Sequence, residues 1–322
     1  MTQLLSNYPT KALVISHSSR SSFRRCARIF EFSKLYGDRD DRSEAFAGDV
    51  GNALHRGFQE YLISKDEKQA VLKFLMAYPT EIEYNDPRNS PRSLEASYAT
   101  LQELIRSPIV DEYELVKIKT RFGDERPAIE VPFAIEIIGS PFPIPVYFVG
   151  FIDAILFSKI KKTYMVDDIK TTRLSLLDMS ARYEFDEQTV PYGIILEQVL
   201  GHEIGEFDVS YLSAYIDLLE PRVRLYPFTK NTGHINDWYV GLCDDIGRMW
   251  RYYKNEFWPR ATNGDTCLAF NRACYFLEYC SFRDPSVLSR MINGIIRDEN
   301  KLFHDDQEPW IMTKLQYVEA LK

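Results

Sequence analysis

At 322 residues, 45% of them hydrophobic and 14% aromatic, the chain can bury a substantial core and is excluded from the disordered class. A formal net charge of −8 and a pI of about 5.3 exclude coating nucleic acid through bulk positive charge. A local basic groove stays open, because binding needs only enough Lys and Arg to neutralise the phosphates contacted.

In chain order, MTQLLSNYPTKALVIS is interrupted by polar residues and Lys11, so no signal-peptide core is read there. Ser16 to Tyr36 reads as a helix, with serines to cap it and Arg20, Arg24, Arg25 and Arg28 making it basic. Ser43 to Ser64 is a clearer helix, since Phe46, Val50, Leu54, Phe58, Tyr61 and Leu62 recur at helical spacing. A polar loop at Asn85 to Pro91 precedes a helix from Ser93 to Arg106.

The middle reads as sheet: Ala128 to Ile137, Val146 to Phe157 and Thr163 to Lys170 are short, β-branched and aromatic. Their short connections, GSPFPIP and SKIKK, suit antiparallel neighbours. Then come a helix from Asp186 to Leu200, strands from Glu206 to Asp217 and Arg222 to Pro227, and a long amphipathic helix from Ile235 to Asn255. A cysteine-rich stretch and a charged tail close the chain. The most apolar long stretch, Pro141 to Phe157, contains Asp153 and prolines and falls short of a membrane span. The expectation is a cytoplasmic protein without membrane partners, whose five cysteines are not disulfide partners.

Asp168 and Lys170 lie two apart in TYMVDDIKTT, so a strand projects both from one face while Ile169 packs into the core. The carboxylate can hold a divalent cation and the lysine can orient the attacking water. Asp153 lies on the preceding strand within GFID, where Gly150 would let the strand bend or a phosphate backbone approach. Carboxylates from neighbouring strands suit Mg²⁺ or Mn²⁺, hard cations that keep waters for a substrate phosphate. An Asp-x-Lys on a solvated strand edge forming a weak salt bridge is the plainer alternative.

GNALH (Gly51 to His55), GFID (Gly150 to Asp153), DIKT (Asp168 to Thr171) and QTVPY (Gln188 to Tyr192) occur in that order. Together they resemble the G-x-x-x-H, G-x-x-D, D-x-K-T and Q-x-x-x-Y series of RecB-type nucleases in the PD-(D/E)XK superfamily. The resemblance implies a cation bound by His55, Asp153 and Asp168, with the Ile169 backbone carbonyl as a further ligand and Lys170 acting on the water. It implies that Gln188 and Tyr192, on one helix, contact DNA or support the site. Glu130, one strand before GFID, is a candidate for an additional ligand. Gly51 and His55 share a helical face, where the small glycine permits close packing on the sheet. An imidazole among the ligands suits Mn²⁺ somewhat better than Mg²⁺. His17, His202, His234 and His304 have no comparable context.

Cys267, Cys274 and Cys280 follow a C-x6-C-x5-C spacing, and Cys26 lies far away in RRCARIF. Buried core thiols, a structural Zn²⁺ and a [4Fe–4S] cluster are all readings of that set. One N-terminal cysteine with a C-terminal trio resembles the iron–sulfur RecB-type nucleases of CRISPR adaptation and of AddB-type recombination enzymes. That resemblance implies a [4Fe–4S] cluster on these four residues, although the first gap is wider than the family's C-x2-C-x5-C. Cys243 is left as a buried, inert thiol.

The expected fold is α/β: a central mixed β-sheet flanked by helices, a restriction-endonuclease-like core with a helical C-terminal iron–sulfur region. It is read as one nuclease domain over 1–322, comprising an N-terminal helix segment (1–42), the core (43–205), strands, long helix and cysteine trio (206–285), and a charged tail (286–322). The expected activity is a metal-dependent DNA exonuclease acting on single-stranded ends. Recombination, helicase or CRISPR-adaptation proteins are the expected partners, in a host cytoplasm if the chain is phage-encoded. The chain has no Walker A motif, G-x-x-x-x-G-K-[ST], and so is not itself such a helicase. The rival readings are a non-catalytic iron–sulfur DNA-binding subunit and an RNA nuclease.

Overall fold

The structure is a computed structural model that describes residues 12–35, 45–79, 92–172, 179–261, 264–268, 273–277, 280 and 308–318. The polar loop at 85–91 and His304 lie outside the described residues. The first segment departs from the single helix expected there. Strand β1 (Leu13–Ser16) comes first, and α1 (His17–Arg25) starts on a Ser16 cap whose hydroxyl accepts from Ser19 N. The helix then breaks at Cys26, which is extended at φ −161°, ψ 114°, and resumes as α2 (Ala27–Phe30) and a π-helical turn at Glu31–Leu35.

Helices α3 (Ala45–Ser64) and α4 (Glu67–Ala77) are joined by a tight turn in which the Asp66 carboxylate accepts from Lys68 N and Gln69 N. Ser93 caps α5 (Leu94–Ile105), and Pro108 opens the short α6 (Pro108–Glu112). Three short strands follow: β2 (Tyr113–Leu115), β3 (Lys117–Lys119) and β4 (Glu125–Pro127). The long strands are β5 (Ile129–Ile138), β6 (Val146–Ser158) and β7 (Tyr164–Thr172). After α7 (Met179–Glu184) and α8 (Tyr192–Leu200) come β8 (Glu206–Tyr215), β9 (Arg222–Asn231), α9 (Thr232–Lys254), α10 (Gly264–Cys267) and β10 (Ile311–Gln316).

The sheet order is β10-β5-β6-β7-β8-β9, with β1 and β2 also pairing with β6. It is mixed: β6–β7 and β8–β9 are antiparallel, whereas β7–β8, β10–β5 and β1–β6 are parallel. The parallel β7–β8 pair needs a crossover, which α7 and α8 supply. The fold is thus a central mixed sheet flanked by helices, as the sequence pattern indicates.

The chain forms two compact units, to both of which β5 and β6 contribute. One comprises Arg42–Val131 and Phe151–Ile235. Its core places Val50, Leu54 and Phe58 of α3 and Leu101 of α5 with Ile169 and Leu212 of the sheet. Gly51 brings α3 down onto β7, since a Cβ there would stand 3.0 Å from Thr171 Oγ1. The other unit comprises Met1–Asp41, Pro132–Gly150 and Asn236–Lys322. There the buried Arg20 of α1 donates from Nε to Asp245 of α9 at 2.8 Å, and Arg24 Nε donates to the same oxygen at 2.7 Å. Gly150 serves packing in this unit: a Cβ would meet the Phe133 ring at 2.7 Å, so the missing side chain admits that ring.

Candidate active site

The site lies in the first of these units. Strand alternation on β7 puts Ile169 into the core and turns Asp168 and Lys170 to the other face, where Lys170 Nζ stands 2.6 Å from Asp168 Oδ2. Gln188 clamps this pair: its Nε2 donates to Asp168 Oδ1 at 2.8 Å and its Oε1 accepts from Lys170 Nζ at 3.1 Å. Gln188 precedes α8 instead of riding on it, in a turn where the Asp186 carboxylate accepts its N–H at 2.9 Å. Tyr192, the first residue of α8, places its hydroxyl 3.5 Å from Gln188 Nε2.

Asp153 and Asp168 lie one step beyond the Ala154–Asp167 pair of the β6–β7 ladder. Asp153 Oδ2 accepts the Ile169 N–H at 2.8 Å and stands 3.9 Å from His55 Nδ1. His55, Glu130 and Asp153 each offer a ligand atom, all within 4.8 Å of one another. Glu130 reaches this trio from a backbone at φ +47°, a left-handed conformation that non-glycine residues enter only at some cost. Gln59, one helical turn beyond His55, joins the site without belonging to any of the sequence motifs: its Nε2 donates to Glu130 Oε1 at 2.6 Å. Its signal was the i+4 spacing on α3.

Burial dominates the electrostatics. It pushes Asp153 up to about 6, aided by Glu130 and opposed by Lys170. It likewise pushes Asp168 up to about 6, with Lys170 opposing and Asp153 adding. His55 is held below its usual value by burial and then by Lys170, which leaves a neutral imidazole with a lone pair to offer. Burial works against the charged form of Lys170, but Asp168 and Asp153 outweigh it and raise its pKa. Carboxylates crowded where water is scarce, beside a neutral imidazole, are a donor set that a divalent cation would relieve. The Ile169 backbone opposes the lowering of His55 by hydrogen bonding to it, which sets that backbone next to the donor set.

The four cysteines belong to the other unit. Cys26 packs in a small apolar cluster with Phe32 and Phe276, against which Cys274 and Cys280 also lie. The break after α1 turns its sulfur to Ala261, whose N–H donates to Sγ at 3.3 Å. Cys267 joins through its carbonyl, which accepts from Cys274 N at 2.7 Å. Burial pushes the Cys280 thiol up to about 11, opposed by Arg28 and reinforced by Cys26, Cys274 and Cys267. Cys243 lies apart, buried on α9 near Tyr239.

Among the described residues no helix is long and apolar enough to cross a membrane. None of the curated proteins compared matches the chain. Of solved structures, a "Putative exonuclease" from Eubacterium rectale superposes with a TM-score of 0.47 at 15% identity, covering 92% of this chain and 96% of that one. A protein designated SSO0001 superposes with a TM-score of 0.26 at 13% identity, covering 64% and 74%. The model of the PD-(D/E)XK nuclease superfamily matches residues 14–284. With that match over most of its length, the chain belongs to the PD-(D/E)XK nuclease superfamily.

Proposed function

We propose that the protein is a divalent-metal-dependent deoxyribonuclease of the RecB type, an exonuclease acting in the cytoplasm on DNA with single-stranded ends. One observation carries the reading: the His55, Glu130 and Asp153 ligand atoms cluster beside an Asp168–Lys170 pair clamped by Gln188. His55, Asp153, Asp168 and the Ile169 carbonyl would hold Mn²⁺ or Mg²⁺, with Glu130 as a further ligand. Such a cation polarises a phosphoryl oxygen and lowers the pKa of its water. Lys170 would hold the attacking water in line with the scissile phosphate, its ammonium fixed by Asp168 and Gln188. Tyr192, whose pKa burial raises well above the ordinary tyrosine value, stays protonated and supports Gln188. Cys26, Cys267, Cys274 and Cys280 would hold a [4Fe–4S] cluster tying α1 to the C-terminal segment. Recombination, helicase or CRISPR-adaptation proteins are the proposed partners.

The test uses single- and double-stranded DNA labelled at one end or the other, with Mn²⁺, Mg²⁺ or EDTA. Release of mononucleotides from a single-stranded end, dependent on the cation, supports the reading. Cleavage confined to internal positions would replace exonuclease by endonuclease, and no cleavage with any cation would overturn catalysis.

A further inference from the structure

Strand β9 ends the sheet order, and its sequence RVRLYPFTKN alternates sharply. Val223 and Leu225 pack against the apolar cluster on one face. Arg222 and Arg224 are exposed on the other. That second face is the one carrying the Asp168–Lys170 pair. The register runs Lys170↔Ser213↔Arg224 and Thr172↔Tyr215↔Arg222 across β7, β8 and β9. Tyr183 ties the row together: it stacks on Tyr211 with ring centroids 4.5 Å apart, lies 5.3 Å from the Tyr226 ring, and shares a hydrogen bond with Ser213. Both arginines therefore stand two strand spacings, roughly 10 Å, from the strand that bears Lys170.

Each guanidinium is held over an aromatic ring, Arg222 over Tyr215 at 5.0 Å and Arg224 over Tyr226 at 5.1 Å. Among the described residues neither guanidinium lies within ion-pair or hydrogen-bond distance of a partner, although Arg222 and the Asp217 carboxylate attract each other at longer range. The nearby Asp217 is engaged within its own turn, accepting from Leu219 N and Glu220 N at 2.9 Å each. Stacking fixes the planes of two cations while leaving their N–H groups open, which prepares them for phosphate oxygens at little entropic cost. In a chain of net charge −8, two such arginines on the face of the candidate site form a local basic track.

We propose that Arg222 and Arg224, seated on Tyr215 and Tyr226, form a subsite for the phosphodiester backbone of the nucleic-acid strand flanking the cleavage point. The subsite rests on the nuclease reading and adds to it a place for the substrate strand. Cations on an edge strand also deter strand pairing between molecules. The test therefore reads nucleic-acid binding directly.

The variants are Arg222→Ala/Arg224→Ala and Arg222→Lys/Arg224→Lys, both at exposed positions. The probe is a fluorescent oligodeoxynucleotide of about 20 nucleotides, long enough to fill a single-strand groove. Its anisotropy is titrated in EDTA at several salt concentrations. Two lost phosphate contacts should lower the log–log salt slope by about 1.4 and weaken binding roughly 25-fold at 0.1 M salt. The lysine pair should keep the slope while losing part of the affinity. With Mn²⁺, the ratio of kcat/KM for the oligonucleotide to that for bis(p-nitrophenyl) phosphate, too small to reach β9, should fall by a similar factor. A wild-type salt slope and a wild-type ratio in the alanine pair would overturn the subsite and leave the nuclease reading intact. Binding that depends on the arginines in a wild-type protein that cleaves neither substrate would overturn the nuclease reading and keep the subsite.

Discussion

Replacing Asp245 by alanine should cost about 3–5 kcal/mol of stability, the range for leaving one member of a buried ion pair uncompensated. The side chains of Arg20 and Asp245 are only 3% and 2% exposed and meet at 2.8 Å. Arg24, 37% exposed on the same oxygen, adds at most about 1 kcal/mol after solvent screening. Against a net stability of about 5–15 kcal/mol, this is a large share. Because Arg20 also lies 5.8 Å from the Trp238 ring centroid, tryptophan fluorescence during urea unfolding reports on the affected region. Burial makes the loss nearly independent of salt, unlike that of a surface pair. The double variant Arg20→Met/Asp245→Leu should recover most of the loss, since apolar side chains of similar volume replace a buried pair at little cost. A loss below about 1 kcal/mol in Asp245→Ala would mean that the pair behaves as a solvated surface pair.

Gln188→Ala should lower kcat/KM roughly 10- to 100-fold without unfolding the protein, because two hydrogen bonds to charged groups are lost; a wild-type rate would remove Gln188 from the clamp. Burial lifts Asp167 to about 8, with Asp153 and Asp168 adding and the Ser210 hydroxyl opposing. The folded state therefore keeps a proton that the unfolded chain releases near pH 4, so in EDTA the contribution of Asp167 to stability is full below about pH 4 and is lost as pH rises toward 8. Asp167→Asn should flatten that decline in urea titrations, and an unchanged slope would contradict the assignment. Anaerobically purified protein should be brown with about four irons per chain, and each of Cys26, Cys267, Cys274 and Cys280 should be required while Cys243→Ser changes nothing. Colourless protein with stoichiometric zinc would replace the cluster by a structural zinc site.

The long strands and the α3 helix were legible because their periodicities are local and strong. TYMVDDIKTT read as a strand with Asp168 and Lys170 on one face, and that is the face they occupy. Features set by distant partners were hidden. The break at Cys26 lies inside a good helical pattern, and its sulfur meets Ala261, far along the chain. Strand β10 looked like charged tail because its pairing with β5 links residues far apart in sequence. The helix expected from Asp186 begins only at Tyr192, after Asp186 caps a turn and Pro191 interrupts N–H donation. The left-handed backbone of Glu130 has no sequence signature, since glutamate is not a residue that favours it.

The proposed hydrolytic roles of Asp153, Asp168 and Lys170 meet their sharpest test in the cleavage of end-labelled DNA by Asp153→Ala and Lys170→Ala beside wild type with Mn²⁺. Both variants should lose cleavage by orders of magnitude while retaining their fold and most of their DNA affinity, which is mainly phosphate electrostatics. Wild-type rates in both would place hydrolysis at other residues.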